Sequence, residues 1–299
     1  MTFRQSIKDQ LITNRPSLSG SSISTYTSTL ANILTKIPGI NQNKLNVDMF
    51  DKQHKKIMKF MEDFSSSKRK SILSALYIIS NNAIYNTKMK ADMSVVYEEY
   101  KTQEKTEKEQ NNWIEWTDVL KLHDKLTDVA DKLLRKIRIN DREFNVLNSY
   151  ILLSVYVLIP PRRIQDFKMM KIRNYDGETD NHYDGENLTF HNYKTSNVYG
   201  SQSINISESP LQVLLDMWID INDDCDYLIV SEKDHSKKLE GSMLTKMLNK
   251  IFDSKVSASM LRKSFLSHTY RDIDLLKMEN LALKMGHSSS TALGKYVKK

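Results

Sequence analysis

Residues 144–167 read FNVLNSYILLSVYVLIPPRRIQDF, and the fold is read outward from this stretch. From Phe144 to Ile159 the side chains become nearly all apolar, which predicts a helix buried on most of its surface. Pro160-Pro161 ends that helix, because proline lacks the N–H the next turn would need. Arg162 and Arg163 follow at once, with Asp166 close behind. A buried helix that delivers tandem arginines needs a domain around it, and the flanks supply one. Upstream, Trp116, Val119, Leu120, Leu126, Val129, Leu133, Leu134 and Ile137 recur at helical spacing. Downstream, Asp176-Gly177 and Asp184-Gly185 mark turns. Leu188–Tyr193 and Ser201–Ile206 predict two strands around a turn containing Lys194 and Gly200. Further helices are expected over 211–221, 244–252, 260–270 and 278–285, with a short one after Ser288.

The first hundred residues read differently. Residues 1–20, with Arg15-Pro16 and Ser19-Gly20, suggest a loose polar arm. Tyr26, Leu30, Ile33, Leu34 and Ile37 then form a helical stripe that ends at Pro38-Gly39. Similar stripes run from Val47 to Phe64, from Lys68 to Asn82, and through Met93, Val96 and Tyr97. A bundle of about four helices is expected. The polar run KTQEKTEKEQNN, residues 101–112, reads as a linker or a solvated helix end. It sets the expected boundary between a domain of residues 1–110 and a second of 111–299. The fold class expected is mainly α with a small β-sheet.

The chain has 299 residues, enough for two cores, and 44 Lys+Arg against 37 Asp+Glu. The net charge is +7, and residues 1–110 hold nearly all of it: 17 basic against 11 acidic side chains. An excess of this kind points to a polyanionic partner. The lone Cys225 excludes a disulfide scaffold and suits a reducing, intracellular compartment. No apolar run approaches the ~18 residues a membrane span needs. The first residues, MTFRQSIKDQLITN, carry charges where a signal peptide needs an apolar stretch. The seven histidines make no paired-ligand spacing, and no phosphate-binding glycine motif or nucleophile elbow occurs.

Three segments of the second half stand out with Lys194: Arg162-Arg163-Ile164-Gln165-Asp166, Ser259-Met260-Leu261-Arg262-Lys263-Ser264-Phe265, and Met285-Gly286-His287-Ser288-Ser289 followed by Tyr296. Singly each is ordinary; Gly286-His287, for instance, reads equally well as a helix C-cap. Their order and the nine-residue interval from His287 to Tyr296 make the set informative. It resembles the tyrosine recombinase (phage-integrase) family over about residues 145–299. Ser-x-x-Thr-Tyr at Ser22–Tyr26 is similar to the opening of that family's core-binding domain. The polar stretch before Asn112-Trp113 is similar to recombinases of large eukaryotic DNA viruses and mobile elements.

The resemblance implies a helical, SAM-like core-binding domain and an α/β catalytic domain that close around double-stranded DNA. It implies cooperation of two or four protomers on paired sites, for integration or excision of a viral or mobile genome. Arg163 and Arg262 would hold the non-bridging oxygens of a phosphodiester, neutralising charge as the transition state forms. Tyr296 would be the nucleophile and form a covalent 3′-phosphotyrosine. Lys194 would protonate the leaving 5′-hydroxyl. His287 would donate to the phosphate or manage the tyrosine proton. No metal and no ATP enter this scheme. Lys52, Lys55, Lys56, Lys59, Lys68, Arg69 and Lys70 are the candidates for gripping DNA from the first domain, with a solvated helix face as the competing explanation.

The sequence departs from the family at one catalytic position. Ser259 stands where the family has histidine, three residues before Arg262, and Lys263 replaces the histidine usual after it. Positions i and i+3 share a helix face, so Ser259 is expected near the site. A hydroxyl can donate a hydrogen bond but takes up no proton near neutral pH. Two other readings stay open: a type IB-like topoisomerase using related chemistry, and a DNA-binding relative that has lost catalysis.

Overall fold

The computed structural model describes residues 2–101, 104–270 and 275–288. It divides into two compact units, Met1–Thr102 and Gln103–Lys299.

The first unit is all helical. α1 (Phe3–Asn14), α2 (Gly20–Lys36), α3 (Met49–Lys52), α4 (His54–Phe60), α5 (Ser66–Ser80) and α6 (Ala83–Lys101) surround a core of Leu11, Leu30, Leu34, Phe50, Ile57, Leu73 and Leu76. The expected loose arm is instead α1. Thr2 caps it by accepting from the Gln5 N–H, and Ile7 and Leu11, four residues apart on one face, are fully buried. α5 stops because Asn81 takes the left-handed conformation (φ 54°) and donates its N–H to the Tyr77 carbonyl. The chain then turns into α6, which packs along α5.

The second unit contains α7 (Glu107–Asn112), α8 (Trp116–Leu134), α9 (Asp141–Val157) and α10 (Ile164–Lys168). After these come β1 (His182–Tyr183), β2 (Asn187–Phe190), α11 (Ser196–Tyr199), β3 (Gln202–Asn205) and α12 (Pro210–Ile221). β4 (Val230–Ser231), β5 (Asp234–Lys238), α13 (Met243–Phe252), α14 (Ala258–Thr269) and α15 (Leu275–Lys284) complete it. The chain is thus mainly α with a small antiparallel sheet, β1-β2-β3, and a separate β4-β5 pair. α9 is the central helix. Leu147, Ile151, Leu152, Leu153, Val155 and Tyr156 are buried around its circumference, and α8, α12 and α13 pack against it. No described helix is long and apolar enough to cross a membrane.

The division between the units falls at residue 102, not near 110. Residues 107–112, expected as a linker or a solvated helix end, form α7 because Thr106 and Glu109 make a reciprocal capping box. Glu109 is buried and pairs with Lys263 on α14, so this polar segment belongs to the second unit.

Asn148 ties α9 to β4. Its side-chain Nδ2 donates to the Val230 carbonyl (2.9 Å) and its Oδ1 accepts from the Val230 N–H (3.2 Å), all fully buried. Asn148→Ala leaves both backbone groups unpaired away from water, at roughly 1–3 kcal/mol each. The expected outcome is a loss of about 2–4 kcal/mol in urea unfolding at unchanged m-value, whereas an exposed substitution such as Lys121→Ala stays within about 0.5 kcal/mol.

Candidate active site

The site is built around the C-terminal end of α15. Gly286 has φ +71°, its N–H donates to the Leu283 carbonyl, and the His287 N–H reaches back to the Ala282 carbonyl (3.1 Å). This is a Schellman turn, and a residue without Cβ accommodates the left-handed backbone. The turn satisfies Ala282 and Leu283 from the backbone, and side chains from elsewhere in the unit add a second donor to Leu283 and supply the carbonyls of residues 284–286. Gln202 Nε2 on β3 donates to Leu283 (3.0 Å), Arg162 to Lys284 (2.7 Å), Arg262 on α14 to Met285 (3.2 Å), and Arg163 to Gly286 (3.2 Å). Thr195 Oγ1 also donates to Gly286 (2.9 Å). Three guanidiniums and the loop between β2 and β3 therefore meet at one helix terminus. The partial negative charge of that terminus favours cations.

The tandem arginines are separated by the backbone that carries them. Arg163 is the N-cap of α10, in extended conformation (φ −75°, ψ 154°), and successive extended residues project to opposite sides. Arg162 is fully buried and Arg163 only partly. Arg162 Nε donates to Asp166 (3.0 Å), and its guanidinium lies 3.9 Å from the centroid of the Phe190 ring. Burial pushes the Asp166 carboxyl above its ordinary range, and the guanidiniums of Arg162, Arg163 and Arg262 oppose that rise.

His287 sits just past the turn, with 4% of its surface exposed. Burial first, then the charges of Arg262 and Arg163, push its pKa down to about 4. Its Nδ1 faces the Ser288 carbonyl at 3.1 Å, a contact that only an N–H can make, so Nδ1 carries the proton and Nε2 the lone pair. Lys194 is exposed in the β2–β3 loop, beside Thr195. Asn181 fixes the base of that loop: its Nδ2 donates to the Asp166 and Asn192 carbonyls, and its Oδ1 accepts from the Asn192 N–H.

Ser259 lies elsewhere. Ser259 is exposed and, with Lys263 and Thr106, lines a cavity of about 430 Å³ between α7, α13 and α14, while Arg262 on the same helix is buried. Tyr296 and the helix expected after Ser288 lie outside the described residues. In the first unit, Lys52, Lys55, Lys56, Lys59 and Lys68 are exposed and Lys70 is partly buried. Lys52 pairs with Asp48 (3.2 Å), and the Lys68 ammonium lies over the Phe64 ring (3.6 Å). Arg69 departs from the expectation. Its guanidinium is held inside the unit by both oxygens of buried Asp92 (2.7 Å each) and by the carbonyls of Glu62 and Phe64. Sequence reasoning missed Arg162, Gln202, Asn181 and Thr195. Only Arg162 had a readable signal, its i,i+4 spacing to Asp166. Among the described residues, no group of His, Cys, Asp and Glu is arranged to hold a metal ion.

No protein-family model matches the chain, and no curated protein matches it. Among solved structures, the chain is similar to the XerH site-specific recombinase in its post-cleavage complex with palindromic difH substrate. The TM-score is 0.45 at 14% identity, over 97% of this chain and 90% of that one.

The lowered pKa of His287 has a signed consequence. The unfolded chain binds a proton there near pH 6.5 and the folded chain only near 4. Stability from this residue is therefore complete above about pH 6.5 and falls as pH drops toward 4, by about 3 kcal/mol in all. Melting temperatures measured from pH 7 to pH 4.5 are expected to fall more steeply for the wild type than for His287→Gln, which has no proton to gain.

Proposed function

We propose that the second unit cuts and rejoins double-stranded DNA by transferring a phosphodiester to Tyr296. The observation that carries the reading is the meeting of Arg163, Arg262 and His287 at consecutive positions of one helix end, with the Lys194 loop fastened to the same Gly286 carbonyl. Two guanidiniums bonded to adjacent carbonyls of one helix end would suit a tetrahedral anion with two non-bridging oxygens. Tyr296 Oη attacks phosphorus, the bond from phosphorus to the 5′-oxygen breaks, and Lys194 gives that oxygen its proton. Of the two roles expected for His287, its Nε2 lone pair suits accepting the tyrosine proton. A phosphate between the two arginines would offset their charges, which add to burial in holding the histidine deprotonated. Exposed Lys52, Lys55, Lys56, Lys59 and Lys68 supply a sequence-independent grip on the backbone, and Arg69 takes no part. Paired protomers and a role in integrating or excising a viral or mobile genome complete the proposal.

One observation favours a second reading, a DNA-binding relative without catalysis. Ser259 faces the cavity with Lys263, so α14 presents no base three residues before Arg262. Trapping with detergent on a pool of random-sequence nicked duplexes separates the readings. Strand cleavage predicts a covalent protein–DNA adduct that is absent in Tyr296→Phe and slowed about 100- to 1000-fold in Arg163→Ala or Arg262→Ala. Salt-sensitive DNA binding with no adduct would establish the non-catalytic reading. Relaxation of supercoiled plasmid with no exchange of strands between duplexes would favour the topoisomerase.

A further inference from the structure

We infer that Arg162 is a positioning residue that holds the catalytic groups at their meeting point. The inference rests on the strand-cleavage reading for its purpose, and on geometry alone for its existence. Arg162 is as cationic as Arg163 but presents nothing to solvent. Its contacts instead join three of the segments that bring catalytic groups: α10, the β2–β3 hairpin and the end of α15. Nε bonds Asp166 on α10, the helix that Arg163 caps. One terminal nitrogen, Nη1, bonds Gln202 Oε1 on β3 (3.0 Å) and the Lys284 carbonyl of α15, next to the turn carrying His287. Its flat face covers Phe190 of β2 and, at 5.0 Å, Tyr193, the residue before Lys194. Gln202 doubles the link by donating to Leu283.

A guanidinium suits this task because its donors are fixed in one plane while both faces remain open for stacking. Lysine concentrates its charge at one rotatable point and cannot reproduce the fork. The remaining nitrogen, Nη2, is buried with no partner among the described residues and lies 3.6 Å from where a Cβ on Gly286 would stand. A side chain at 286 would therefore touch both tandem arginines and Tyr193 as well as straining the turn. The guanidinium is also desolvated, which raises the penalty for breaking any one of its contacts.

Amide hydrogen exchange on the full-length protein, compared between wild type, Arg162→Lys and Arg162→Met, tests the clamp without reference to activity. Both variants are expected to exchange roughly tenfold faster in residues 192–201 and 284–288, with residues 147–156 of α9 unchanged. The functional arm uses the nicked duplex pool. Adduct formation at saturating DNA should slow by roughly a hundredfold in both variants while the dissociation constant for DNA stays within about twofold. A residue that only stabilised the fold would not produce that split. Unchanged exchange in both segments overturns the clamp, as does wild-type adduct formation by Arg162→Lys. Should Arg162→Met loosen α9 as well, Gln202→Ala removes one partner of the clamp from a part-exposed strand and is read by the same two measurements and the same outcomes. Absence of adduct in the wild type overturns the strand-cleavage reading instead, and the exchange data still decide the clamp.

Discussion

The second unit depends on the unfinished carbonyls at the end of α15. A helix terminus buried in a protein must find donors for its last carbonyls, and here those donors are mostly arginines. Arg162, Arg262 and Arg163 take successive positions along residues 284–286, and Thr195 brings the β2–β3 loop to the last of them. Like charges would not gather unaided. The negative end of the helix, the Asp166 carboxylate, and the Phe190 and Tyr193 rings together offset their repulsion. The outcome is a preorganised concentration of positive charge, which is what stabilising a developing phosphoryl transition state requires.

This constraint gives the Schellman turn two consequences at once. Gly286 ends α15 as an ordinary C-cap, and the same turn sets His287 where the charges of Arg262 and Arg163 act on it. The structural and chemical readings of Gly-His therefore do not compete. The charge of the chain divides along similar lines. The first unit carries a general excess of exposed lysines. The second is almost neutral overall but concentrates a few desolvated cations in one place.

Local spacing made much of this legible in the sequence. Arg163, Arg262 and His287 marked side chains that stand at the end of α15, Lys194 marked the loop that Thr195 fastens there, and the stretches flanking Lys194 marked the strands. What sequence reading missed were facts about facing and burial. In Arg162-Arg163 the two side chains are chemically identical, and only the extended backbone decides which is buried. Ser259 shares an i,i+3 relation with Arg262, yet a 100° step per residue was enough to leave it in a cavity beside α7. Two misreadings had signals that polarity obscured. The Thr106-x-x-Glu109 capping box lay inside a polar run that reads as a linker or a solvated helix end, and Ile7 and Leu11 form a one-face stripe inside a segment that reads as a loose arm. Arg69 stood among lysines that resemble it in sequence, and its buried partner Asp92 lies 23 positions away, beyond any local pattern.

On the strand-cleavage proposal, Arg163, Arg262 and His287 enclose one phosphate-sized site organised by the end of α15. A crystal of the protein soaked in tungstate, a tetrahedral dianion visible by its anomalous scattering, tests it most directly. The account predicts a tungstate bound to both guanidiniums, absent from crystals of Arg262→Ala. Tungstate bound only at the lysines of the first unit, with the space between Arg163 and Arg262 unoccupied at saturating concentration, would contradict it.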